Sequence, residues 1–132
     1  GHTLLLLEST QSYNKEIART QGDIPESVKE LLPKLKDDKL TEVLIITLPE
    51  ATPYYEAKRL QEDLERAGIF SKWWIINSSF YATSTTNEIL KAKAANEVEW
   101  INKISEVAEG NAALIKWSSE DLKGEKLNTL LN

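Results

Sequence analysis

The sequence predicts an α/β fold in which about three short parallel strands alternate with helices. Two observations indicate this class. Short runs of aliphatic and aromatic residues, typical of buried strands, occur three times after residue 40. Apolar residues at helical spacings separate these runs, and connections of this length favour parallel strands joined by right-handed crossovers. We expect residues 1–132 to form a single domain.

The chain begins with two predicted helices. Apolar residues at helical spacings predict a helix over residues 3–20, and turn-forming residues occupy 21–25. A shorter helix is predicted over 27–35, with Pro33 weakening its end.

The clearest strand runs from Glu42 to Leu48. It shows no polar alternation, which is typical of a strand buried on both faces, so we expect it inside a sheet with a neighbour on each side. Only one neighbouring strand is evident in this sequence, and we expect the second to precede Gly1 in the full protein. Thr52 has the character of an N-cap, with Pro53 at the first helical position. Gly68 is placed to end this helix as a left-handed cap.

A second strand and a long helix follow. The strand comprises residues 73–76 and closes on polar residues, and Thr85 and Glu88 have the spacing of a capping box that begins the helix. A third short strand is predicted over 112–115 and a closing helix over 127–131. The apolar face of the long helix consists of Leu90, Ala94, Val98, Ile101, Ile104 and Ala108.

Composition excludes several classes of function. The formal net charge is −5, without a basic stripe, which disfavours nucleic-acid binding because phosphate neutralisation needs clustered Lys and Arg. The chain contains no cysteine and one histidine, so neither thiolate catalysis nor an all-protein zinc site is plausible within it. No aliphatic run approaches the ~20 residues that span a bilayer.

Ligands of open parallel sheets bind beyond the carboxyl ends of the strands, which here means the loops 49–53, 77–85 and 116–124. Asn77 ends a strand, where its amide could bind the edge of a planar heterocycle or simply satisfy nearby backbone groups. Trp117 lies nearest a strand end among the tryptophans, although tryptophan is more often a core residue. Neither a GxGxxG motif nor a Gly-rich loop ending in Lys-Ser/Thr occurs.

Several stretches, in order along nearly the whole chain, resemble the arsenical pump-driving ATPases, and in particular the second ATPase half of the duplicated members. In that family the sequence Asp-Thr-Ala-Pro-Thr-Gly-His-Thr runs into a leucine-rich helix. The matching stretches here are Gly-His-Thr-Leu-Leu-Leu-Leu-Glu at 1–8, VLIITLPEATP at 43–53, LQEDLERAG at 60–68, WIINSS at 74–79 and residues 113–124.

The resemblance implies the C-terminal part of a P-loop NTPase fold, with helices on both faces of the sheet. It also implies an ATPase that drives arsenite or antimonite efflux through a membrane subunit, cytoplasmic and peripheral to the membrane. His2 matches a metalloid ligand of the family and Asn77 a residue that contacts adenine. The loop that closes over the base corresponds to 116–124, with Lys116, Trp117, Ser118, Ser119 and Glu120 as candidate contacts. Two features depart from the family: Lys116 stands where proline is frequent, and the cysteines that accompany the histidine are absent from this stretch.

By the same resemblance, the chain is expected to be the later part of a larger protein. The P-loop and the Mg²⁺ ligands would precede Gly1, so ATP and Mg²⁺ belong to the full-length enzyme and the isolated chain is expected to be inactive. An uncovered strand edge would favour homodimers or swapping.

Two alternatives stay open. One is an ATPase that delivers tail-anchored membrane proteins, which often carries Cys-x-x-Cys and Met-rich helices; this chain has neither cysteine nor methionine. The other is a non-catalytic α/β binding module, which would need a self-sufficient sheet.

Overall fold

A computed structural model describes residues 26–120, apart from the side chains of 26–29 and 32. Helices and strands alternate along this part of the chain. They are α1 (Glu26–Lys36), β1 (Val43–Thr47), α2 (Ala51–Arg66), β2 (Ser71–Ser79), α3 (Glu88–Val107) and β3 (Ala112–Lys116). The helices predicted over 3–20 and 127–131, and the turn over 21–25, lie outside the described residues.

The three described strands form one parallel sheet in the order β1-β2-β3. In the β2–β3 pair, Trp74 lies opposite Ala112 and Ile76 opposite Leu114, and the register is interrupted between Ile76 and Ser79. Parallel neighbours need long crossover connections, which α2 and α3 supply. The predicted α/β class with a short parallel sheet is therefore confirmed.

The described residues belong to two compact units. The first contains 26–43 and 58–71, and the second contains 44–57 and 72–120. In the first unit Leu64, Ala67 and Ile69 are buried.

The C-terminal end of α2, also in the first unit, has the predicted glycine cap. Gly68 has a φ of +76°. Its N–H donates to the Glu65 carbonyl at 2.9 Å, and the Ile69 N–H donates to the Leu64 carbonyl at 2.9 Å. This pair of bonds defines a Schellman motif, which satisfies carbonyls that the end of the helix would otherwise leave unpaired.

The core of the second unit lies on one face of the sheet. Trp74 and Ile45 are each 1% exposed and Ile104 of α3 is fully buried. Each such side chain stabilises the fold by roughly 1.5–3 kcal/mol through apolar burial. Its remaining buried apolar residues are Tyr54, Ala57, Ile76 and Ala108.

The opposite face of β1 corrects one prediction. Leu44 is 48% exposed and Ile46 is 62% exposed, whereas Ile45 and Thr47 are buried, so burial alternates along the strand. In the described sheet β1 is at an edge with β2 as its neighbour, and the expected second neighbour stays a prediction.

The predicted starts of α2 and α3 are also corrected. α2 begins at Ala51, and the Glu50 carbonyl accepts its first hydrogen bond, from the Tyr54 N–H at 3.0 Å. Pro53 still lies in the first turn, where a missing N–H costs no intrahelical bond. The cap of α3 is Asn87, whose side chain accepts from the N–H groups of the second and third helical residues.

Candidate functional site

The carboxyl ends of β2 and β3 meet at one edge of the sheet, where the Trp117 N–H donates to the Ser79 carbonyl at 2.9 Å. Just before this bond, Ser78 has a φ of +56°, in the left-handed region that is unfavourable for residues other than glycine. Ser78 coincides with the register interruption, so the strand bulges there. The bulge directs the chain out of the sheet and into the loop that follows β2.

An open pocket of about 390 Å³ lies beyond these two strand ends. Its volume falls within the roughly 300–1,000 Å³ of small-molecule sites. It combines a few apolar walls with several hydroxyl groups. The lining residues are Phe80, Thr83, Ser84, Thr85, Leu90, Trp117, Ser118, Ser119 and Glu120.

Two aromatic rings form one wall of this pocket. The centroids of Phe80 and Trp117 are 5.1 Å apart and their planes meet at 25°, which is a stacked pair. The Lys93 Nζ lies 5.0 Å from the centroid of the Phe80 ring and 3.1 Å from the Glu50 carboxylate. Helix α3 thus contacts the aromatic wall through Lys93.

Local turns shape both loops that border the pocket. The Thr83 hydroxyl donates to the Phe80 carbonyl at 2.6 Å, and the Thr83 N–H donates to the same carbonyl at 2.9 Å. In the second loop the Ser118 hydroxyl accepts from the Glu120 N–H at 3.1 Å. Such side-chain bonds stabilise turns without secondary structure.

Glu97 of α3 is a residue of this region that the sequence reasoning missed. It is 2% exposed, and its carboxylate accepts hydrogen bonds from the loop after β2. The predicted apolar face had placed Val98 inward, but Val98 is 37% exposed. A helical series through 94, 97, 101, 104 and 108 would have placed position 97 on the buried face.

The structure brings together four of the predicted site residues. Trp117, Ser118, Ser119 and Glu120 all line the pocket. Asn77 and Lys116 do not line it. The partly exposed Asn77 side chain makes no hydrogen bond with any residue in the described range, so the backbone-satisfying role is not seen there.

The rest of the predicted loop, 121–124, and the metalloid candidate His2 lie outside the described residues.

The charges around the pocket restrict its ligand. Of the described residues that line it, Glu120 alone carries a formal charge, and that charge is negative. Such a lining suits a neutral planar group better than a phosphate, because phosphate sites use cations or backbone N–H groups. Between residues 26 and 120, no cluster of three His, Cys, Asp or Glu side chains could hold a metal ion. No helix in that range is long and apolar enough to cross a membrane.

The family model and the individual relatives that match this chain indicate the same family of proteins. The family model described as anion-transporting ATPase matches residues 2–130. An arsenical pump-driving ATPase from Escherichia coli is 41% identical over 132 residues, which cover 99% of this chain and 22% of that protein. A second one from Escherichia coli is 39% identical, over 98% of this chain and 22% of its own length. One from Acidiphilium multivorum is 39% identical, over 100% of this chain and 23% of its own length.

Proposed function

The chain belongs to the anion-transporting ATPase family, and we propose that it supplies the loops that bind the adenine base of ATP. The observation that carries this proposal is the pocket at the ends of β2 and β3, with its stacked aromatic wall and its hydroxyl groups. In open parallel sheets, this edge is where ligands bind.

The lining favours the base over the rest of the nucleotide. Trp117 is 40% exposed, which leaves ring surface for a ligand to contact. The hydroxyls of the 83–85 and 118–119 segments can each donate or accept a hydrogen bond, as a purine edge requires. Among the described residues, none that lines the pocket is a cation that could neutralise phosphates.

Asn77 and Lys116 complete the proposed base site from the strand ends beside the pocket. Asn77 has an amide that is not engaged within the described range, and such an amide can donate and accept at once toward adenine. Lys116 is the last residue of β3 and leads directly into the pocket loop.

ATP hydrolysis is proposed for the whole ATPase and not for this chain by itself. The chain has no Gly-rich loop ending in Lys-Ser/Thr, so the phosphates and Mg²⁺ would be bound by other parts of the protein. The relatives span more than four times the length of this chain. The pure 132-residue chain is therefore expected to show no ATPase turnover.

The biological role is supported by the relatives, which are arsenical pump-driving ATPases. We assign the whole protein to the energising of arsenite or antimonite efflux through a membrane subunit, from the cytoplasmic side. His2 is the candidate metalloid ligand. His2→Ala should reduce stimulation of the full-length ATPase by antimonite and leave basal turnover intact; unchanged stimulation would remove His2 from that role.

The base site is tested by Trp117→Ala in the full-length ATPase. Loss of the ring should raise the KM for ATP about fivefold, equivalent to ~1 kcal/mol of contact energy, with kcat nearly unchanged. The KM for GTP should rise by a similar factor, because stacking does not distinguish purines. Trp73→Ala is the matched control, since Trp73 is 45% exposed and does not line the pocket. An unchanged KM in Trp117→Ala would refute the proposed base site.

A further inference from the structure

A buried carboxylate is hydrogen-bonded to the backbone of Phe80, a residue of the aromatic wall of the pocket. Glu97 is 2% exposed, in the middle of the 20-residue helix α3. Burying a carboxylate is costly unless its oxygens are hydrogen-bonded, and an apolar residue at this position would pack the helix without that cost. The contacts of Glu97 therefore indicate what it does.

Three hydrogen bonds converge on this carboxylate from three consecutive residues. The Ser79 hydroxyl donates to Oε2 at 2.8 Å and the Tyr81 N–H donates to Oε2 at 3.0 Å. The Phe80 N–H donates to Oε1 at 3.2 Å. All three donors come directly after the bulge at Ser78: Ser79 is the last residue of β2, and Phe80 and Tyr81 begin the loop that follows it.

The bonded segment includes a wall of the pocket. Phe80 lines the pocket and stacks on Trp117. Lys93, one turn before Glu97 on the same helix, places its ammonium group 5.0 Å from the Phe80 ring. The helix therefore holds Phe80 at its backbone through Glu97 and at its ring through Lys93.

We propose that Glu97 is a positioning residue for nucleotide binding: it fixes the segment 79–81 to α3 and thereby sets the Phe80–Trp117 wall against which the base lies. This inference rests on the proposed base site. Glu97 itself does not touch the ligand, because it is not among the residues that line the pocket. Its effect passes through Phe80.

The test is Glu97→Gln in the full-length ATPase, measured by the KM and kcat for ATP. Glutamine has the same shape but a single acceptor oxygen, so at least one of the three donors loses its partner. We expect the KM for ATP to rise about tenfold, the factor for one lost hydrogen bond to a carboxylate, with kcat within about twofold of the wild type. Hydrogen exchange in the nucleotide-free protein should accelerate at the Phe80 and Tyr81 amides.

Glu99→Gln is the matched control. It makes the same chemical change two residues away, at an exposed carboxylate that pairs with Lys103. Neither the KM for ATP nor the exchange of the 80–81 amides should change in it.

Each result decides the question. Faster amide exchange with an unchanged KM would overturn the inference, since Glu97 would then stabilise the loop without affecting the base site. If Glu97→Gln does not fold, Ser79→Ala replaces it, because it removes one hydrogen-bond donor and leaves the carboxylate in place. A KM for ATP raised about threefold in Ser79→Ala supports the inference, and an unchanged KM overturns it.

The variant Trp117→Ala separates the two proposals. If it leaves the KM for ATP unchanged, the proposed base site fails and the inference fails with it. If the KM responds to Trp117→Ala but not to Glu97→Gln, the inference alone is overturned.

Discussion

Ser78 shows how a single residue determines the shape of the site. Its φ of +56° costs about 1–2 kcal/mol for a residue with a Cβ atom. Three hydrogen bonds from the next three residues to Glu97 offset this cost. The backbone strain and the buried carboxylate therefore belong to one arrangement, in which the loop after β2 is held in a conformation that it would not adopt alone.

At the residue scale we predict that Asn77→Ala in the full-length ATPase lowers the preference for ATP over GTP. Loss of hydrogen bonds to the base should cost about 1–3 kcal/mol of discrimination. The measurement is the ratio of kcat/KM for the two nucleotides. Trp117→Ala serves as the comparison, since it should weaken both nucleotides and leave the ratio alone. Equal kcat/KM values for ATP and GTP in the wild type would contradict the role of Asn77.

At the residue scale, the clearest local signal is a strand end followed by an aromatic residue. The position of the segment from Trp117 to Glu120 beside a strand-end pocket could be predicted, because the segment follows β3 directly. Glu97 could not be, since a charged residue in an amphipathic helix is normally assigned to the solvent face. Its partners lie 16 to 18 positions away, across a loop whose path depends on the bulge.

At the element scale, Gly68 provides the left-handed residue of the cap that ends α2. A Cβ atom at this position would lie 3.9 Å from the Lys36 side chain, an ordinary contact, so space does not exclude a larger residue. The positive φ does make a residue with a Cβ atom unfavourable there. We predict that Gly68→Ala lowers the free energy of unfolding by about 1–2 kcal/mol.

The measurement for Gly68→Ala is urea unfolding of the chain. Gly68→Asn is the matched variant, because asparagine tolerates the left-handed region and should cost less than alanine. Equal stability of Gly68→Ala and the wild type would contradict the role of the cap.

The exposed pair on α1 gives a prediction about pH. The hydrogen bond from Lys34, together with its positive charge, holds the pKa of Glu30 below its usual value. The stabilisation from this pair is therefore present above the pKa that Glu30 has in the unfolded chain, and it is lost as the pH falls through the lower folded value. Lys34→Met should raise the pKa of Glu30 toward its usual value, as measured by NMR titration of the carboxyl carbon. An unchanged titration would show that the pair does not form in solution.

Element boundaries were harder to predict than element types. Thr52 and Thr85 have the chemistry of helix caps, but α2 starts at Ala51 and the cap of α3 is Asn87. Before α3 the cap-forming residues Thr85, Thr86 and Asn87 are adjacent, and local chemistry alone does not rank them. The Thr85 hydroxyl instead accepts from the Asn87 N–H at 3.2 Å, one step before the helix.

At the scale of the whole molecule, the apolar face of β1 gives a prediction about association. Leu44 and Ile46 are exposed on a strand at the edge of the described sheet. Unpaired edges with apolar side chains promote pairing between molecules. We predict that the isolated 132-residue chain self-associates and that Ile46→Lys shifts it toward monomer.

Sedimentation velocity over a range of concentrations measures this association. Ile89→Lys is the control, because Ile89 is 78% exposed on α3, away from the strand edge, and its replacement should leave the association unchanged. A wild-type chain that stays monomeric at every concentration would refute the prediction.

The sheet topology was predictable as a whole, but the environment of β1 was not. An apolar run such as Val43–Thr47 specifies a strand and a crossover order through its length and its neighbours. Whether its second face is covered depends on groups distant in sequence, and no local pattern contains that information. The same limit applies to Asn77, whose side chain makes no hydrogen bond to the backbone of residues 26–120, the role that its expected position at a strand end had suggested.

Lys93 connects the ends of two neighbouring strands through two kinds of attraction. Its ammonium group pairs at 3.1 Å with Glu50, which follows β1, and lies near the Phe80 ring, which follows β2. The side chains of Lys93 and Glu50 are each 46% exposed, so dissolved salt weakens their ion pair. The contact between Lys93 and the Phe80 ring is less sensitive to ionic strength. A rise in salt would consequently loosen the loop after β1 first and leave the aromatic side anchored, so that the two loops respond unequally to the same change of buffer.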